Sequence, residues 1–157
     1  MAAHWIQVAE ALRSAIATAL GVAVERRYSA YYDKQDVVVG KYLVVGASSE
    51  LEGKRDIDRL LIGIDVGYQR ALPDPTESQP DPLGNITWLD AESEKVQAIK
   101  DLFAAGDELS PGGSLRDMDF AGATYLRWTN SPLYRPDLLL NNSIYTSVIR
   151  CEFRVED

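Results

Sequence analysis

Residues Tyr145-Thr146-Ser147-Val148-Ile149-Arg150-Cys151-Glu152-Phe153-Arg154-Val155 alternate with a period of two. Tyr145, Ser147, Ile149, Cys151, Phe153 and Val155 form one row; Thr146, Val148, Arg150, Glu152 and Arg154 form the other. That is the pattern of a half-buried β-strand, with one face on a core and one in water. At a rise of roughly 3.3 Å per residue, a strand over 143–155 extends about 43 Å, against about 17–20 Å for an ordinary strand. The run 57–71 is just as long, with Leu60, Ile62, Ile64, Val66 and Tyr68 on one face and Leu61, Gly63, Asp65, Gly67 and Gln69 on the other. Its glycines suggest bending or the close approach of another backbone. Two such strands exceed what a compact domain of 157 residues needs. They must bend over the core, carry bulges or project beyond it, and projection would suit a subunit of a larger assembly.

Working outward, residues 5–20 place Trp5, Ile6, Ala9, Leu12, Ile16, Ala19 and Leu20 on one helical stripe, and Gly21 supplies a C-terminal stop. Strands are predicted over 24–32, 41–47 and 123–130. A second helix is predicted from Thr87 or Asp90 to Ala105, with Val96, Ile99, Leu102 and Phe103 inward and Gly106 closing it. The segment 72–84 holds four prolines and reads as an extended acidic loop. The connection 107–122, with Ser110-Pro111-Gly112-Gly113-Ser114, is of a length usually functional or disordered. Residues 131–142 read as a proline-bearing crossover. The order predicts one α+β domain over 1–157: a mostly antiparallel sheet of about five strands with two main helices packed on one face.

Apolar content of 46% fills a single core. Acidic residues outnumber basic ones 24 to 16, for a net charge of -8, which opposes a phosphate-gripping surface. One cysteine, Cys151, excludes an intrachain disulfide framework and is consistent with a reducing compartment. On the inward row of the last strand it reads as a small hydrophobe. No basic region followed by an apolar run and cleavage site opens the chain, and no apolar stretch reaches membrane-spanning length, so no membrane partner and no export by its own signal are expected. The triplets at Asn85 and Asn141 therefore read as chance, since glycosylation needs a secreted context.

Dinucleotide, phosphate-loop and nucleophile-elbow motifs are absent from the sequence, as are paired Cys or His ligands. No catalytic, cofactor or metal residue is assigned, and no enzymatic activity is expected. His4, the single histidine, reads as solvent-exposed or packing. Asp33 with Asp36, and Asp56 with Asp58 and Asp65, are the acidic sets that a hard cation would need, if their oxygens converged within about 2.0–2.6 Å of it. Neighbouring Lys54, Arg55, Arg59 and Arg70 favour cross-strand charge pairing instead. Tyr28, Tyr31 and Tyr32 with Arg26 and Arg27 fit a stacking surface for single-stranded nucleic acid, which the net charge opposes. They equally fit a subunit interface, whose cores are rich in tyrosine, tryptophan and arginine. Trp128 and Tyr134 are core or interface anchors, and Arg150 and Arg154 are solvated residues or face a neighbouring subunit.

The runs Val24-Glu25-Arg26-Arg27-Tyr28-Ser29-Ala30-Tyr31-Tyr32-Asp33-Lys34-Gln35-Asp36, Tyr42 to Ala47, Arg55 to Gln69, Asn130-Ser131-Pro132-Leu133-Tyr134 and Tyr145-Thr146-Ser147-Val148-Ile149, in this order after an opening helix, resemble the small tail-completion (tail terminator) proteins of long-tailed bacteriophages. The likeness spares the proline loop and the 107–122 connection. It implies a structural subunit forming a ring, commonly a hexamer, on the head-proximal end of the tail tube. Such a ring ends tube polymerisation and presents a docking surface to the head. Implied partners are further copies of the chain, the tail tube protein, a head-completion or connector protein, and genomic DNA passing through the lumen without sequence-specific binding. The implied location is the tail-neck region of the virion, with assembly in the host cytoplasm. If Asp74, Glu77 and Asp81 line the lumen, they would repel passing DNA. Other readings stand beside this one: a connector or stopper between portal and tail, a small Mg-dependent enzyme using Asp56, Asp58 or Asp65, or a ligand-binding module with 107–122 as a lid.

Overall fold

The two long strands are each other's neighbours at the centre of the sheet. In a computed structural model, β3 (Arg59–Ala71) and β6 (Ile144–Glu156) pair antiparallel over their whole length, from Arg59 opposite Glu156 to Ala71 opposite Ile144. The structure describes residues 4–28, 32–50, 59–73, 86–106, 109 and 112–156. The remaining described elements are α1 (His4–Leu20), β1 (Val24–Arg27), a 3-10 turn (Lys34–Val37), β2 (Lys41–Glu50), α2 (Ile86–Asp101), β4 (Asp119–Phe120), β5 (Ala123–Thr129) and α3 (Pro136–Asn142). The sheet runs β1-β2-β3-β6-β5-β4. All its pairings are antiparallel except β1 with β2, which is parallel.

The class is therefore α+β, with six strands in a mixed sheet and three helices among the described residues, against the expected sheet of about five strands with two main helices. Each difference has a local cause. β4 is two residues long, too short to show a period, and lies inside the expected 107–122 connection. α3 lies inside the expected crossover because Pro136 stands at the start of the helix, where its missing N–H removes no hydrogen bond. Strand 24–32 stops at Arg27, and by Tyr32 the chain has turned back over the sheet, where the Tyr32 N–H donates to Gln69 Oε1 at 3.0 Å. The bulges lie in the flanking strands, between Val45 and Ser49 of β2 and between Tyr125 and Arg127 of β5, while the central pair stays regular.

One face of the sheet, the inner face, carries the core. The predicted inward row of β6 is buried from Tyr145 to Val155, and Ile62, Ile64, Val66 and Tyr68 of β3 join it. Val8, Ala9, Leu12 and Ile16 of α1 and Val96 and Ile99 of α2, with Phe103 just beyond, belong to the same apolar cluster, so α1 and α2 share the inner face. Phe153 sits at its centre, edge-on to Phe120 at 5.4 Å and to Tyr125 at 6.2 Å. The stripe of α1 is rotated slightly from expectation: Val8 is buried and Ala19 is exposed. Gly21, at φ 65°, ends the helix in the left-handed conformation expected of it.

The outer face is only partly wet. Leu43 and Val45 pack with Tyr32 and Val148, and Val37 packs with Ala71, Ile144 and Tyr32. This cover buries Thr146, on the row expected in water, and Gln69 opposite it, and Gln69 Nε2 donates to Thr146 Oγ1 at 2.8 Å. Beyond the end of β5, residues 130–135 continue along β6. Asn130 Nδ2 donates to the Val148 carbonyl at 2.8 Å, Ser147 Oγ to the Leu133 carbonyl at 2.6 Å, and the Arg135 N–H to the Thr146 carbonyl at 2.8 Å.

Candidate functional site

The predicted interface residues fall in separate places. On β1, Arg26 points to the inner face, with Nε 3.4 Å from Glu10 Oε2 and its guanidinium 5.7 Å from the Tyr28 ring centre. Arg27 points to the outer face and lies 3.8 Å over the Tyr32 ring, which also has Lys41 Nζ 5.0 Å from its centre. The Tyr32 hydroxyl donates to Glu25, which Lys41 also approaches at 3.5 Å. That hydroxyl contact, helped by the Lys41 charge, holds the Glu25 carboxyl below its usual range. Burial, then the same hydrogen bond, raises Tyr32. Among the eight predicted residues, Arg27 and Tyr32 are brought into contact; Tyr31 lies outside the described residues.

Trp128 is 36% exposed on β5, opposite Cys151, with Lys100 Nζ of α2 5.3 Å from its ring. Tyr134 stacks on buried Tyr145 with centres 6.0 Å apart. Arg150 and Arg154 lie on the outer face, opposite Thr129 and Thr124 of β5. Arg150 Nε donates to Asp65 Oδ1 at 3.1 Å, and beside that pair Arg127 Nε donates to Glu152 Oε2 at 2.5 Å. The outer face thus divides into an apolar half sealed by Tyr32 and Val37 and a half carrying these charge pairs.

The same pairing accounts for Asp65, one of the acids considered for a cation. Its partner is Arg150, directly opposite on β6, and not one of the four cations near it in sequence. Asp56 and Asp58 lie outside the described residues. Among the described residues, no group of three His, Cys, Asp or Glu side chains is placed to hold a metal ion. Cys151 is fully buried, and burial pushes its thiol far above the ordinary range.

A buried acid at the top of α2 was not anticipated. Glu92 is 1% exposed. It accepts from the Tyr68 hydroxyl, from Arg70 Nη1 at 2.6 Å and from Lys95 Nζ at 3.2 Å. Burial, then this carboxylate, drives Tyr68 strongly upward. Tyr42 lies 4.9 Å from Tyr68, Arg70 stacks 5.3 Å from Trp88, and Ser93 Oγ is 3.0 Å from the Tyr145 hydroxyl. The signal was present in the sequence: Glu92 precedes Val96, Ile99 and Phe103 at spacings of four, three and four, on the same stripe. Arg70 also walls a cleft of about 300 Å³ with Lys34, Val38, Ala71, Leu72 and Pro73.

No helix among the described residues is long and apolar enough to cross a membrane. No protein-family model matches this chain, and no curated protein matches it.

Proposed function

We propose that this chain is a structural virion subunit, a phage tail terminator, forming a ring of six copies that caps the head-proximal end of the tail tube, ends tube polymerisation and offers the head its docking surface. The observation that carries the reading is the placement of the resembling runs. Residues 59–69 of the third run and Tyr145 to Ile149 of the last lie far apart in sequence, yet they lie on the central strand pair, with Val66 opposite Ile149 and Gln69 opposite Thr146. The likeness therefore falls on the part of the fold that positions everything else. A sheet with different residues at its two ends also suits head-to-tail contacts, the kind that close into rings.

In this reading the tube protein and a head-completion or connector protein bind opposite sides of the ring, in the tail-neck region, and DNA passes through the lumen. Asp74, Glu77 and Asp81, the acids considered for that lumen, lie outside the described residues. The test is co-assembly. A terminator caps purified tail tubes and is seen as a ring at one tube end by electron microscopy. Binding to portal-bearing heads and not to tubes would replace this reading with that of a connector or stopper.

A further inference from the structure

The two halves of α2 are held in unlike ways. The second half is fastened by apolar burial and by backbone. Val96 and Ile99 are buried, and Phe103, just past the helix, is buried and stacks on Tyr125 with ring centres 4.6 Å apart. The Leu115 and Gly113 N–H groups bond the Leu102 and Ala104 carbonyls at 2.9 Å, and Arg116 Nη1 donates to the Phe103 carbonyl at 3.2 Å. From Ile86 to Lys95, by contrast, the one buried side chain is that of Glu92. Ile86 is exposed, and Trp88 and Leu89 are half-buried. This first half meets the sheet mainly through polar groups. Glu92 accepts from Tyr68 and Arg70, Lys95 Nζ lies 3.3 Å from the Tyr68 hydroxyl, and Ser93 Oγ lies 3.0 Å from the Tyr145 hydroxyl.

Beneath it runs a row of aromatic rings. Tyr42, Tyr68, Tyr145 and Tyr134 follow one another across β2, β3, β6 and the segment beyond β5, with successive ring centres 4.9, 6.4 and 6.0 Å apart. Tyr68 and Tyr145, the two rings that the first half of α2 touches, are buried, whereas Tyr42 is half-buried and Tyr134 is exposed.

We propose that residues 86–95 form a flap, hinged at Val96, which lifts from the sheet while the second half of α2 and the core stay folded, and that Glu92 is its latch. The flap shuts over Tyr68 and Tyr145 and uncovers them when it opens, so the chain has two surfaces to present, one polar and one aromatic. This inference is independent of the ring reading.

The balance of forces favours opening at this half. Apolar burial is lost outright when a side chain returns to water, whereas a polar contact exchanges one hydrogen bond for another. Lifting the flap hydrates every member of the latch together: the Glu92 carboxylate, the Tyr68 hydroxyl, and Arg70 and Lys95, which are already partly exposed. No buried polar group is stranded, as it would be if one partner were deleted. Lifting the second half would instead expose Val96, Ile99 and Phe103 and break its bonds to residues 113–116. Segments with few buried apolar contacts are the ones that open below the cost of global unfolding.

The test compares tyrosine nitration with maleimide labelling of Cys151, which is fully buried and reports unfolding of the core. Both are run on separate samples of the full chain, mapped by mass spectrometry, and each rate is divided by that of the urea-unfolded chain. Tyr68 and Tyr145 are expected to be less protected than Cys151 by about tenfold or more, equivalent to about 1.4 kcal/mol between flap opening and unfolding. In hydrogen exchange, the amides of 90–95 are expected to exchange together and almost independently of low urea, while those of 99–103 speed up with urea as unfolding does. Glu92→Gln keeps the side-chain shape, removes its charge, and is expected to speed exchange over 90–95 by about tenfold. Equal protection of Tyr68, Tyr145 and Cys151, or a single urea slope along the whole of α2, overturns the flap. Unchanged exchange over 90–95 in Glu92→Gln overturns the latch.

Discussion

Replacing Glu92 by methionine tests whether the buried acid holds α2 to the sheet. The side chain is nearly isosteric, so the change removes the carboxylate and little volume. Tyr68, itself 1% exposed, then loses the acceptor for its hydroxyl, at about 1–3 kcal/mol for a buried unsatisfied donor. Arg70 and Lys95 also lose their counter-ion, but their side chains are 33% and 40% exposed and can turn to water, so each contributes about 0–1 kcal/mol. The expected loss is about 2–3 kcal/mol, or about 4–12 °C in Tm for a chain of this size. Tyr68→Phe in the Glu92→Met background removes the stranded hydroxyl and should recover most of the Tyr68 share. Urea and thermal melts of the wild type, both single variants and the double variant, followed by far-ultraviolet circular dichroism, give the coupling energy directly. A coupling of about 1 kcal/mol or more is expected, and a cycle additive within about 0.5 kcal/mol would refute the idea that this contact fastens the helix.

Other consequences are simpler to read. Gly113→Ala should destabilise by about 2 kcal/mol or more, measured by the same melts, because an added Cβ falls on the Leu102 carbonyl while the Gly113 N–H is bonded to the Ala104 carbonyl at 2.9 Å. Burial raises Tyr125 to about 12 and also raises Tyr42, Tyr68 and Tyr145. Because these folded-state values lie above the unfolded value near 10, their contribution is complete below about pH 10 and is lost as pH climbs through the folded values, for Tyr125 between about 10 and 12 at up to about 1.4 kcal/mol per pH unit. Phenolate absorbance rising together with loss of circular dichroism above pH 10 is the expected result; tyrosines titrating freely in the folded chain at pH 10 would contradict it. Cys151 should resist thiol reagents in the native protein and react only at the rate of unfolding, as mass spectrometry after timed labelling can show.

Most of the inner face was legible because period-two and period-3.6 patterns report directly on burial. Phe153, Cys151, Ile64, Leu12 and Val96 all stand where spacing puts them. What escaped was set by contacts distant in sequence. The parallel pairing of β1 with β2 depends on where the chain turns after Arg27, which no residue pattern near Arg27 encodes. The connection after α2 read as a lid or a disordered stretch, yet its Gly113 and Leu115 N–H groups bond the Ala104 and Leu102 carbonyls at 2.9 Å, satisfying acceptors at the end of a helix. Glu92 was passed over because a carboxylate on an apolar stripe reads as a solvated interruption. Its burial makes sense only once Tyr68, Arg70 and Lys95 stand around it.

The same non-local effect limits what residue type can say about an interface. Tyrosine and arginine are the residues that assemblies use at their contacts, but Tyr32 and Arg27 are already engaged within the chain, sealing the apolar half of the outer face with Val37. Asp65, Arg127, Arg150 and Glu152 likewise balance one another across β3, β6 and β5, so the charged half of that face is neutral in pairs. A residue type common at interfaces therefore points to one only after its partners within the chain have been subtracted.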